Sequence, residues 1–176
     1  VIVGRPSSIK AVEFALKHSK SIFITAQKDP NVETPTDQDM YTCGTRSNIL
    51  QVMRMPNGSL KILAEGICRA RLLKVMAQDD FIGVYYEDLP TTNATNAIQV
   101  EGTWRELKKL YLMYARLNEK IPQDLIALVK EPDDVDCIAD TIAVHINLTL
   151  EERQRILELY DLQERMIKLC TYLKKE

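Results

Sequence analysis

The chain has few of the residues that build most catalytic and metal centres. It has two histidines, His18 and His145, and four cysteines, at 43, 68, 137 and 170. No two cysteines fall in a C-x-x-C spacing, so neither a zinc site nor a disulfide framework is expected. The thiols are read as reduced, which fits a reducing compartment. The six glycines (4, 44, 58, 66, 83 and 102) never approach the spacing of a phosphate-cradling G-x-x-x-x-G-K-[ST] loop. There is no G-x-S-x-G elbow and no H-E-x-x-H pair. Asp79-Asp80 and Asp133-Asp134 adjoin in a turn and at a helix start, where solvation or the helix dipole explains them. Neither sign of charge dominates: 23 Lys+Arg against 25 Asp+Glu give a net charge of -2. That argues against a strong electrostatic hold on nucleic acid or anionic lipid. No apolar run approaches the ~18–20 residues of a membrane span. No catalytic constellation, metal site or cofactor site is expected within this chain.

What is present suits a folded protein. Of 176 residues, 45% are hydrophobic and 27% charged, enough for one ordinary domain or two small ones. The periodicity changes along the chain, giving an α+β class: residues 1–90 read mainly as strand, 91–176 almost wholly as helix. A short helix opens the first part, with Pro6 at its entrance, Ser7 or Ser8 as cap, and Ile9, Val12 and Leu16 on one face. Ser21–Ala26 is β-branched and aromatic. Residues 28–39 hold two prolines and four acids and read as a mobile surface loop. Tyr41–Met55 is extended, and Pro56-Asn57-Gly58 supplies hairpin turn chemistry. Leu60, Ile62 and Ala64 alternate with Lys61, Leu63 and Glu65, Gly66 permits a bend or bulge, and Arg69–Ala77 and Phe81–Asp88 complete the set. Five or six short strands with polar turns predict a small barrel or curled sheet.

Leu89–Asn93 marks the break. A helix over 95–118 carries Val100, Trp104, Leu107, Tyr111 and Tyr114 on one stripe, read as core. Further helices are expected at 122–130 and from Pro132-Asp133-Asp134, the latter with Val135, Ile138, Ala139 and Ile142 inward. Thr149 and Glu152 form a capping box. Helix then continues to the end, with a short break near Asp161. Leu159, Leu162, Met166, Leu169 and Leu173 step 3,4,3,4, an a/d seam that either packs on the helical part or continues as a coiled coil. His145 follows an apolar stripe and His18 ends a helix, so both read as structural. Arg69, Arg71 and Lys74 are the one basic cluster, read as a solvated strand face rather than a phosphate patch.

Several segments carry a resemblance. They are Val3-Gly4-Arg5; Ile22–Gln27; Cys43-Gly44-Thr45 running to Ile49-Leu50-Gln51; Met55-Pro56-Asn57-Gly58; Ala64-Glu65-Gly66-Ile67 with Arg69-Ala70-Arg71; Asn118-Glu119-Lys120-Ile121-Pro122; and Ile138–His145. In this order and spacing, across nearly the whole chain, the sequence resembles the N-terminal region of Lon, the ATP-dependent Ser-Lys protease family. The resemblance implies a PUA-like β subdomain (1–90) and a helical subdomain (91–176) ending in the start of a long helix. It implies a piece of a longer protein, whose ATP- and magnesium-using AAA+ module and protease module lie elsewhere. Implied partners are unfolded or damaged proteins and, through the parent, a homohexamer. No membrane or nucleic acid is implied, and the location is the bacterial cytoplasm, with the mitochondrial matrix as alternative. Pro6 and Ser7 stand where many relatives carry charge. The family's usual first strand would precede Val1, which leaves a sheet edge open.

Substrate recognition of that kind needs an adaptable apolar surface with a polar rim. Met53 and Met55 beside the hairpin, and Met40-Tyr41 after the loop, are the candidate contacts. Arg5 and Lys10 are candidates for acidic substrate segments. The alternatives are a stand-alone protein resembling the Lon substrate-binding region, or a PUA-like RNA-binding module.

Overall fold

The computed structural model describes residues 1–77, 80–92 and 97–175. The chain divides into two compact units, Val1–Pro90 and Thr91–Glu176. The first holds β1 (Ile2–Val3), α1 (Pro6–Lys17), β2 (Ser21–Ile24), β3 (Cys43–Arg54), β4 (Leu60–Ala77) and β5 (Ile82–Leu89). All pairings are antiparallel: β2 on β3, β3 on β4, and both β1 and β5 on the far side of β4. Two strands separate β2 from β5 in the sheet, yet the rings of Phe23 and Tyr86 stack at 5.9 Å. The sheet is therefore curled, with its edges brought together.

Bulges do the curling. Ile67 on β4, Leu50 on β3 and Leu73 on β4 are each skipped in the registers. The bulge after Gly66 does not end the strand: the segment expected as a separate strand from Arg69 is the second half of an 18-residue β4. It stays one strand because β3 and β5 pair it in succession on opposite edges. At Gly58, φ is +84°, the left-handed turn conformation that the Asn-Gly pair predicts. Gly44 is required by close approach, since a Cβ there would lie 2.5 Å from the Ile24 carbonyl oxygen and 2.7 Å from the Phe23 ring.

α1 lies on the sheet through Val12 and Ala15, both buried, with Ile9 beside them. Leu16, expected inward, is 36% exposed, because the packed arc runs through residue 15 instead. Its N-cap is Arg5, with no side-chain cap, so Ser7 and Ser8 sit inside the first turn rather than capping it. The core beneath comprises Ile49, Leu60 and Ile62. The loop expected over 28–39 is tied down more than its composition suggests. Asp37–Asp39 form one 3-10 turn closed by a Thr36–Asp39 capping box, and Gln27 bridges Met40.

The second unit is helical: α2 (Ala97–Leu117), α3 (Gln123–Lys130), α4 (Val135–His145), α5 (Leu150–Leu157) and α6 (Leu162–Leu173). The expected start of α2 at 95 lies outside the described residues. Trp104, Leu107 and Tyr111 are buried, with Val100 and Tyr114 packed beside them, so the predicted stripe is the core face. Burial pushes the Tyr111 phenol up to about 12. Asp134 caps α4, accepting from the backbone N–H groups of Asp136 and Cys137, and Thr149 and Glu152 cap α5 reciprocally. Thr92 pairs with Asp161 between α5 and α6, and Asp161 caps α6.

Candidate functional site

The curled sheet leaves a cleft of about 470 Å³ in the first unit. One wall is α1, from Ser7 and Ser8 to His18. The others are β2, the start of β5, and β4 at Leu72 and Met76. Pro35 and Met40 from the loop close one end. Ile62, Leu72 and Met76 of β4 all line the cleft, and the bulges at Ile67 and Leu73 between them reset the strand's alternation, so simple period-2 counting does not place them. The surface is apolar and aromatic. Phe14, 44% exposed, sits 4.0 Å from the His18 ring and 4.8 Å from Phe81. Serine and threonine hydroxyls and a glutamine amide rim the α1–β2 side, and among the described residues no Asp or Glu lines the cleft.

The predicted site residues do not gather in one place. Arg5 lines the cleft, donating to the Gln27 side-chain oxygen and, at 3.3 Å, to the Pro30 carbonyl. Gln27 in turn donates to the carbonyls of Asp29 and Val32, so Arg5 braces the loop. Lys10 is exposed and pairs with Asp80; Asp79 lies outside the described residues. Met40 lines the cleft and Tyr41 is half-buried beside it. Met53 is 54% exposed and Met55 half-buried, at the opposite end of β3. The two pairs thus lie at the two ends of the 12-residue β3, and of the four only Met40 lines the cleft.

The basic cluster is not one open face, although Lys74 is exposed. Arg69 is buried where β4 has Thr45 on one side and Leu89 on the other. Arg71 pairs with Glu87 at 3.2 Å. Arg46 reaches across from β3 to hold Asp88 of β5 with two N–H donors, and this pairing keeps the Asp88 carboxyl below its usual range. Cys68, between them, has its thiol pushed up by burial and by Asp88. His18 Nδ1 lies 2.8 Å from the Phe14 carbonyl and His145 Nδ1 2.9 Å from that of Thr141, both closing their own helices. Among the described residues, no three His, Cys, Asp or Glu side chains gather as a metal-binding set.

Four of the five seam residues are occupied within their own unit. Leu162, Met166, Leu169 and Leu173 are buried in the helical core, and Leu159 is half-buried ahead of α6. They pack there because α6 lies against α2, α4 and α5.

Sequence reasoning missed Phe14, Met76, Phe81 and Tyr86 as cleft residues. Only the curl brings β5 opposite α1; Gly66 signals the bulge at Ile67, but no turn or glycine signal marks those at Leu50 and Leu73. It also missed an apolar set on the sheet. Leu50, Leu63, Ile67 and Leu73 are 43–59% exposed, three of them at the bulges. Ile67 and Leu73 are exposed where the register skips them, a break that simple alternation along β4 does not show. Chemically, the cleft offers dispersion contact, hydroxyl and amide partners and two sheet edges. This combination suits an extended apolar chain better than a reacting group.

Comparison with known proteins places the chain in a family. The family model for the ATP-dependent protease La (LON) substrate-binding domain matches residues 1–175. A Lon protease of Syntrophomonas wolfei is 37% identical over 174 residues, covering 99% of this chain and 21% of that protein. Lon protease of Escherichia coli K12 is 34% identical over 176 residues, covering 100% and 22% respectively. The chain thus spans about a fifth of the length of these relatives. Among solved structures, the N-terminal domain of Mycobacterium avium complex Lon protease matches with TM-score 0.80 at 22% identity, over 100% of this chain and 90% of that one. A Lon N-terminal domain protein from Xanthomonas campestris matches at 0.59 and 14%, over 98% and 87%. Both share the α+β fold: a curled antiparallel sheet followed by helices. On its sequence and its fold, the chain belongs to the Lon substrate-binding domain family.

Proposed function

We propose that this chain recruits polypeptide substrates for an ATP-dependent Lon-type protease, and that it takes unfolded or damaged chains in preference to native ones. What unfolded chains share is exposed apolar side chains and unpaired backbone. The observation that carries the reading is the cleft of the first unit: apolar and aromatic walls between two sheet edges, with a rim of hydroxyls and amides. A single such contact is weak. Six copies on a homohexameric ring would raise the effective concentration of each site, so weak contacts add. Cutting by a Ser-Lys centre and hydrolysis of ATP with magnesium belong, on this reading, to other parts of the parent protein. The bacterial relatives favour the bacterial cytoplasm as the location.

The test is a fluorescence-anisotropy titration of the chain into one labelled disulfide protein. One sample is native and the other is reduced and alkylated so that it cannot refold. Saturable binding to the unfolded form alone is expected. Equal binding to both forms, or to neither, contradicts the proposal. An RNA-binding role would instead need an open basic surface. Arg69 is buried and Arg71 and Arg46 are paired with acids, so the structure gives that alternative no support.

A further inference from the structure

We infer that the cleft prefers extended apolar segments flanked by acidic side chains, so that it selects among unfolded polypeptides by charge as well as by hydrophobicity. The inference rests on the recruitment reading and specifies it. Arg5 lines the cleft, and its hydrogen-bond partners, the Gln27 side-chain oxygen and the Pro30 carbonyl, are neutral. Its charge is therefore not cancelled by a carboxylate on those contacts. Beside it the first turn of α1 faces the cleft at Ser7 and Ser8, with no acidic residue in that turn and no side-chain cap. The positive end of the helix dipole adds to the guanidinium there. Elsewhere around α1, carboxylates are already engaged by cations: Glu13 by Arg54 and Asp80 by Lys10. Among the described residues, no Asp or Glu lines the cleft itself.

The other features fix what kind of anion fits. Phe14, Met76 and Tyr86 offer apolar contact too extensive for a bare carboxylate. β2 pairs only with β3, and β5 only with β4, among the described residues, so both strands that wall the cleft have an edge not used in the sheet. An extended main chain can bond to such an edge while alternate side chains enter the cleft. The occupant is thus an extended apolar stretch, with an Asp or Glu side chain placed near Arg5 and the start of α1.

The experiment uses two labelled peptides, acetylated and amidated at their ends. They share one central Val-Phe-Leu-Val stretch and differ only in flanking Asp or flanking Lys. The chain should bind the Asp-flanked peptide about fivefold more tightly, the scale of one exposed charge pair. The ratio should fall toward one in about 1 M salt. Ser8→Glu puts an acid on the rim of the cleft, where it also suits the helix dipole, so the fold should persist. It should weaken the Asp-flanked peptide about fivefold and spare the Lys-flanked one, with Ser8→Gln as the neutral control. Equal affinity for the two peptides, or indifference of both to Ser8→Glu, overturns the inference. If the alkylated unfolded protein still binds in that case, recruitment stands and only the charge preference falls. If that protein does not bind either, both readings fall together.

Discussion

Arg165 gives the sharpest test of how the helical unit is held. Its side chain is fully buried, between Asp136 (29% exposed) and Asp140 (43% exposed) on α4. Nη1 bonds both acids, the Asp140 contact at 2.7 Å, and Nε donates to the Leu159 carbonyl at 3.1 Å. Nη2 is buried with no hydrogen-bond partner among the described residues. The two ends of this network differ in what they leave behind. Replacing both acids, Asp136→Asn with Asp140→Asn, strands a buried guanidinium. The expected cost is about 3 kcal/mol, the low end for a broken buried pair because both acids are partly solvated. Replacing the cation, Arg165→Met, lets both acids turn to water and removes an unsatisfied donor. It should cost no more than about 1 kcal/mol. The chain's sole tryptophan, Trp104, lies in the same core at 8% exposure, so its fluorescence follows this unit alone. With a urea slope of about 1–3 kcal/mol per molar, the double variant should lose about 1–3 M in midpoint, and Arg165→Met less than half of that. If Arg165→Met proves as damaging as the double variant, the attraction outweighs desolvation and the reasoning is wrong.

Three further outcomes follow from local geometry. Gly44→Ala should destabilise the first unit by about 1–3 kcal/mol, since its Cβ would meet the Ile24 carbonyl and the Phe23 ring; a thermal melt followed by circular dichroism measures this, and an unchanged midpoint counts against the packing described. Lys20, a non-glycine residue at φ 56°, ends the turn after α1, so Lys20→Gly should stabilise by about 0.5–1 kcal/mol; a loss would show that its backbone is unstrained. The Asp39 carboxyl is held low by the Thr36 backbone and hydroxyl, and that of Asp88 by Arg46. Their stabilisation is complete above the ordinary value of 3.8 and is lost as pH falls through the lowered native values. Denaturant unfolding at about pH 6 and pH 3 should therefore show an acid loss that shrinks in Asp39→Asn with Asp88→Asn; an equal loss in both proteins removes these two groups from the account.

Local chemistry was legible in the sequence wherever one residue's neighbours along the chain decide its conformation. Thr149 with Glu152, Asp134 before α4, and Asn57-Gly58 all act as their spacing implies. The α2 stripe was legible because 3.6-residue periodicity is enforced over 21 residues. What escaped depends on contacts far apart in sequence. Ser7 and Ser8 look like caps, but Pro6 starts the helix one residue earlier and places them in its first turn. Arg69 looks solvated until β3 and β5 cover both its flanks. Arg165 looks like an exposed helix residue. It shares the inward arc of Leu162, Met166 and Leu169, and Asp136 and Asp140 one turn apart on α4 were the available clue. A curled sheet was expected, but the cleft's lining was not legible, since it depends on how β5 is set opposite α1, far from it in sequence.

Amide hydrogen exchange of the chain with the alkylated unfolded protein tests the central claim most directly. Slowed exchange is predicted along Ser21–Ile24, Ile82–Leu89 and the first turn of α1, with no such change on adding the native form. Protection confined to the helical unit, or the same protection from native protein, would contradict it.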